Sequence, residues 1–234
     1  MIEAALYDLL NESIKIESLF SVSHVEEYFA RTATFDNRFS RRNGYYSFGA
    51  GPVNCFLFST DQTGETAGGT GLISLVNLLQ RGTCNFRDMP VTWHFAPNLD
   101  LKTNHGIGIF RKAMQETQSQ LVCGINSQSV SSNHETAIFQ LKRSMPEKQL
   151  NLLKTIFAKS GIQLSKQGAD PVMGPGFVVV KPAHEPLLVE LSEKSQFFSV
   201  NISCGKTLAP ADQVYLLMTA ALIAIDSETE KIVV

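Results

Sequence analysis

The chain lacks most features that would tie it to a charged polymer, a membrane or a structural metal. Its 234 residues carry 20 Lys and Arg against 22 Asp and Glu, a formal net charge of −2. That balance leaves no electrostatic footprint for DNA, RNA or an anionic bilayer. The one basic cluster, Arg38, Arg41 and Arg42, has no second basic stripe beside it and reads as a solvated loop. No apolar run nears the ~20 residues that a membrane helix needs. The four cysteines, Cys55, Cys84, Cys123 and Cys204, form no CxxC pair, which argues against a zinc ribbon. Cys55, Cys123 and Cys204 lie in apolar runs and read as small buried hydrophobes. Met1-Ile2-Glu3-Ala4 opens without a basic or apolar export signal, so reduced thiols and a cytoplasmic location are expected. Repeats, low-complexity tracts and linkers are also missing, and residues 1–234 are expected to form one domain.

Two kinds of catalytic signature are missing as well. No Gly-x-Ser-x-Gly elbow marks a serine hydrolase. Gly68-Gly69-Thr70-Gly71 opens a helix but lacks a Walker lysine and the spacing of a dinucleotide fingerprint. Its small residues could cradle an anion at the helix N-terminus or let the helix approach the sheet closely.

What is present is an alternation of helical and strand-like periods. Residues 2–17 read as a helix with Leu6, Leu9, Leu10, Ile14 and Ile16 on or near one face. Ser23-x-x-Glu26 reads as a capping box for the helix carrying Val25, Tyr28 and Phe29. Strands are expected at 45–49 and 53–59, a helix at 69–80 stopped by Gly82, and a strand at 91–96. Further helices are expected at 107–118 and 147–159, and strands at 120–125, 137–142, 178–180 and 197–202. Pro210 suits the first position of a last helix running through Ile223. Long loops are expected at 37–44, 61–68 and 167–176.

Strands alternating with helices predict an α/β fold, a three-layer α/β/α sandwich around a mixed, mostly parallel sheet. Such sheets place ligands beyond the carboxyl ends of their strands. Here those ends are Ser59–Asp61, Pro97–Asp100, Asn126–Gln128 and Ser203–Lys206.

These ends carry a resemblance. Together with Leu9-Leu10-x-x-Ser13-Ile14-Lys15-Ile16-Glu17-Ser18 and Val25-Glu26-Glu27-Tyr28-Phe29, they resemble the co-catalytic zinc exopeptidases, the metallo-aminopeptidase and carboxypeptidase superfamily. The single-domain length is similar to the aminopeptidase branch without an inserted dimerisation domain. The resemblance implies a zinc exopeptidase-like (phosphorylase/hydrolase-like) fold.

It also implies positions for two zinc ions, and most of them are degenerate here. Where the family has His-x-Asp, this chain has Ser59-Thr60-Asp61. Ala67 stands at the metal-bridging position. Phe95-Ala96-Pro97-Asn98-Leu99-Asp100 matches the paired-glutamate element, with Leu99 at the general base and Asp100 at a ligand position. Gly124-Ile125-Asn126-Ser127-Gln128 matches the strand ending in Asn-x-Asp, with Gln128 for the aspartate. Leu208-Ala209-Pro210-Ala211-Asp212 puts Leu208 where a histidine belongs.

A catalytic zinc takes about three His or carboxylate ligands, and a two-metal site needs a bridging group. Alanine and leucine supply neither, so no metal or other cofactor is expected. Asp61, Asp100, His105, Asn126, Gln128 and His134 are the candidates for lining a remodelled cleft that binds a peptide or small molecule. The alternative is an active hydrolase with relocated ligands among Asp61, Asp100, His105 and His134. Against both stands the plainer possibility that Asp61 and Asp100 are exposed loop carboxylates and that His105 and His134 are surface or capping residues. A subunit of a structural homo-oligomer is the third possibility. Neither a nucleic-acid nor a membrane partner is expected.

Overall fold

The computed structural model describes residues 2–59, 65–82, 90–101, 103–129, 136–141, 147–159, 163–164, 177–179, 196–204 and 208–232. Helices α1 (Ile2–Ser13), α2 (Val22–Phe35), α3 (Ala67–Arg81), α4 (Asn104–Thr117), α5 (Glu147–Lys159) and α6 (Pro210–Ile232) are interleaved with short and long strands. The strands are β1 (Phe20–Ser21), β2 (Phe39–Arg41), β3 (Tyr46–Phe48), β4 (Val53–Ser59), β5 (Glu65–Thr66) and β6 (Val91–Ala96). β7 (Leu121–Ser129), β8 (Thr136–Leu141), β9 (Gln163–Leu164), β10 (Phe177–Val179) and β11 (Gln196–Cys204) follow.

A nine-stranded sheet runs β10-β8-β11-β7-β4-β6-β3-β2, with β9 beside β8. The central neighbours β11, β7, β4 and β6 are all parallel, while β3 and β2 extend one side antiparallel. Side chains alternate across this sheet, as the pleat requires. Val53, Cys55 and Leu57 share a face with Trp93, Phe95, Cys123 and Ile125, covered by α1, α2, α3, α5 and α6. Phe56, Phe58, Ala96 and Val122 share the opposite face and pack on Phe110 and Ala113 of α4. Helices thus cover both faces of the expected mixed, mostly parallel sheet.

Several boundaries differ from the sequence expectation, each for a local reason. α2 is capped by Ser21 rather than Ser23, because the Ser21 hydroxyl accepts the His24 amide at 3.3 Å while Phe20 stacks on the His24 ring at 4.5 Å. α3 begins at Ala67, two residues early, because Thr66 Oγ1 accepts the Gly69 amide at 3.0 Å. The Gly69 amide is therefore occupied within the helix start instead of facing an anion. Gly69 and Gly71 bring α3 close to other helices. A Cβ at Gly71 would lie 2.8 Å from the Met218 side chain on α6, and one at Gly69 would lie 3.0 Å from Val25 on α2.

The segment 37–44, expected as a loop, contains β2. It pairs with β3 across a turn in which Arg42 N–H donates to the Tyr45 carbonyl at 2.8 Å and Gly44 has φ 85°. The expected loop 61–68 likewise includes β5 and the start of α3.

α1 ends at Ser13 instead of residue 17. Its Glu12 turns inward, where the carboxylate accepts from Arg81 Nη1 at 2.6 Å and Lys15 Nζ at 2.8 Å, leaving Ile14 66% exposed. α6 runs past the expected Ile223 to Ile232, and Val214 through Ile225 is buried nearly all round. No helix among the described residues is long and apolar enough to cross a membrane.

Candidate functional site

The parallel pairing brings the carboxyl ends of β4, β6, β7 and β11 to one rim, as the sequence pattern implied. Ser59 ends β4 opposite Ile125, and β7 continues past it with Asn126 and Gln128, which pair with Asn201 and Ser203 of β11. Asn126 and Gln128 are described by backbone position only. Asp61 and His134 lie outside the described residues.

Ser59 is fully buried and bound to the turn after β6. Its hydroxyl accepts the Asn98 amide at 3.0 Å, and its carbonyl accepts the Leu99 amide at 2.7 Å. Making both bonds puts Asn98 at φ 57°, a region a non-glycine residue enters only under local constraint. Asn98 Nδ2 donates to the Val22 carbonyl at 3.2 Å, tying the turn to the start of α2. The Leu99 side chain is 4% exposed and packs with Tyr45, Phe58, Phe110 and other apolar groups beneath α4.

Ala67, at the position the resemblance equates with the metal bridge, is wholly buried in the main core. Leu208 is half-buried, packs on that core, and accepts Gln213 Nε2 through its carbonyl at 2.9 Å. A zinc ion needs lone pairs directed into one space. The Ala67, Leu99 and Leu208 side chains have none, and the buried Ser59 hydroxyl is a neutral oxygen engaged with the Asn98 amide, so these positions do not fit the metal. Of the matching positions, Asp100 keeps a carboxylate. Among the described residues, no group of three or more His, Cys, Asp or Glu could hold a metal ion.

Asp100 and His105 do come together, on the wall of one cavity of about 600 Å³. Thr103 explains how: its hydroxyl donates to the Asp100 carbonyl at 3.0 Å and accepts the Gly106 amide at 3.1 Å, capping α4 with His105 in the first turn. Gly106 then lies against the Asp100 carbonyl, leaving no room for a Cβ.

The other walls come from α2 through Glu26 and from the β2–β3 hairpin through Arg41, Arg42 and Tyr46. Sequence reasoning missed these hairpin residues. The Asn43-Gly44 pair between two short apolar-polar alternations was the signal that could have found them. Burial, the Arg41 charge and the Glu26 charge act on Tyr46 together, with burial dominant, and its phenol is held above its ordinary pKa. Deeper in the same region Tyr45 donates to Glu116 at 2.9 Å, and burial together with that carboxylate pushes its pKa up to about 12.

The buried histidine lies elsewhere. His94 on β6 pairs Nδ1 with Ser47 Oγ at 2.8 Å and Nε2 with Asn54 Oδ1 at 3.1 Å, and burial lowers its pKa to about 4. It is a packing residue on the α4 face of the sheet, beside Phe56. His24 is exposed at the start of α2, stacked on Phe20.

No protein-family model and no curated protein sequence matches the chain. Solved structures do. A candidate metallopeptidase from Shewanella denitrificans superposes with a TM-score of 0.56 at 13% identity, covering 88% of this chain and 91% of that one. A second candidate metallopeptidase, from Shewanella baltica, gives 0.52 at 10% identity over 87% and 91%. The metallo-carboxypeptidase of Pseudomonas aeruginosa, solved with (2-guanidinoethylmercapto)succinic acid, gives 0.50 at 10% identity over 86% and 68%. The fold is metallopeptidase-like. At these identities the likeness is one of backbone architecture, and what the chain does rests on its own side chains.

Proposed function

We propose that this chain is a metallopeptidase-fold protein without metal-dependent peptidase activity, a module that binds a peptide or small molecule at the sheet rim. The proposal includes an aminopeptidase-like parent scaffold, a single domain over residues 1–234 and no resident cofactor. One observation carries it. The residue at the expected base position, Leu99, lies in an apolar core, and its amide is hydrogen-bonded to Ser59, the residue at an expected zinc-ligand position. A base must reach the proton of the attacking water, and leucine has no atom to take it. What survives at the rim is a cavity of ligand size lined by charged and aromatic groups.

A second reading, a hydrolase with relocated metal ligands, is favoured by one feature, the shared cavity of Asp100 and His105. Two measurements separate the two readings. Protein purified without chelator is expected to hold substoichiometric zinc by elemental analysis and to leave aminoacyl and dipeptide substrates intact. Stoichiometric zinc, with peptide hydrolysis abolished by chelation, overturns the proposal.

A further inference from the structure

Two cavities flank α2. One, about 650 Å³ and lined by Tyr28, Arg31, Phe35, Asp36 and Gln80, has Tyr28, Asp36 and Gln80 already paired internally. Asp36 accepts both Arg38 and Gln80, and the Tyr28 hydroxyl donates to Asn77 at 2.7 Å. A ligand there would have to break pairs that are already made.

The rim cavity differs. Arg41 and Arg42 form no ion pair or side-chain hydrogen bond among the described residues, and neither does Glu26, yet all three line the same space. The guanidinium groups belong to the β2–β3 hairpin and the carboxylate to α2, so opposite charges come from different elements. Tyr46 lines the same space and feels the charges of both Arg41 and Glu26.

The charge pattern selects a ligand class by elimination. A simple anion meets the arginines but is repelled by Glu26 on the opposite element. A simple cation meets the reverse. An apolar molecule gains nothing from Arg41, Arg42 and Glu26 and displaces water from them at a cost. A molecule with a carboxylate and an ammonium satisfies both sides. Guanidinium binds carboxylate through directional paired N–H donors, which fixes one end.

We infer that the rim cavity takes a small zwitterion, its carboxylate against Arg41 and Arg42 and its ammonium against Glu26. This rests on the binding-module proposal and names the chemistry of its site. The hairpin that supplies the carboxylate-binding end is an edge element of the sheet, away from Ser59, Ala67 and Leu208, while Leu99 and Asp100 line the same cavity.

Calorimetric titration of the full chain with four probes tests it: 6-aminohexanoate and norleucine as zwitterions, hexanoate and pentylamine as single-charge controls. At least one zwitterion is expected to bind about tenfold or more tighter than both controls. That preference is expected to fall to within about threefold in R41A/R42A and in E26Q, with the thermal transition unchanged because these side chains are exposed. Comparable affinity for hexanoate, no binding of any probe, or full selectivity in R41A/R42A overturns the inference. Zinc content and peptidase activity of the same preparation are read separately. A metal-loaded, active protein that still selects the zwitterion defeats the proposed function alone, and a metal-free, inactive protein without selectivity defeats this inference alone.

Discussion

The Leu99 amide donates to the Ser59 carbonyl at 2.7 Å, joining the two residues that the resemblance places at a base and a zinc-ligand position. The Leu99 side chain, 4% exposed, packs under α4 in the apolar cluster.

Restoring a carboxylate at that position is therefore expected to harm the fold. Leu99→Glu should destabilise by about 3–5 kcal/mol at pH 8, because it places a charge in an apolar cluster. Burial raises the pKa of such a carboxyl above its unfolded value, so the folded state binds more protons and stability falls as pH rises. Urea titrations at pH 5 and pH 8 check this: the penalty should be smaller at pH 5. An equal penalty at both would show that the side chain escapes to solvent.

His94 makes stability depend on pH in the opposite sense. Its folded pKa is about 4 against an ordinary 6.5, so the unfolded chain binds the proton more readily. The contribution is complete above about pH 6.5 and is lost as pH falls toward 4, amounting to roughly 3 kcal/mol. Comparing wild type and His94→Gln at pH 7.5 and 4.5 isolates it. The difference between them should shrink at the lower pH.

Glu12 holds α1 to α3, with its side chain 8% exposed and Arg81, Lys15 and Asn77 around it. Glu12→Ala is expected to cost about 1–3 kcal/mol, since it removes a buried acceptor from several donors. Arg81 is half in water, so Arg81→Ala should cost under about 1 kcal/mol. A double-mutant cycle by chemical denaturation measures the coupling.

Two glycines of α4 should respond in opposite directions. Gly106 has the Asp100 carbonyl oxygen where a Cβ would stand, and backbone cannot yield as a flexible side chain can. Gly106→Ala should cost about 3 kcal/mol and disturb the cavity wall. Gly108 has nothing within 4 Å, and Gly108→Ala should stabilise by about 0.5–1 kcal/mol by reducing unfolded-state freedom. Thermal melts of the pair give the sign directly.

Much of the architecture was legible in residue periods. Val91–Ala96 and Glu147–Lys159 form at the expected bounds, because the first is an apolar run of strand length and the second repeats its apolar residues at helical spacing. Boundaries set by side-chain caps slipped, since Ser21 and Thr66 act through bonds that depend on where the preceding chain runs. β3 was expected at 45–49, but its partner β2 escaped notice because it is only three residues long and Arg41 and Arg42 at its end imitate a solvated loop.

Within the candidate site, the sequence by itself determined which donors are absent. No fold can make Ala67, Leu99 or Leu208 side chains offer a lone pair, because ligand chemistry belongs to residue type. Only the tertiary structure decided which groups meet. Glu26, the Arg41–Arg42 pair and the Asp100–His105 turn are distant from one another along the chain, and they share a cavity because a helix, a hairpin and a turn pack at one corner of the sheet. That packing depends on long-range burial and pairing, which local pattern does not encode.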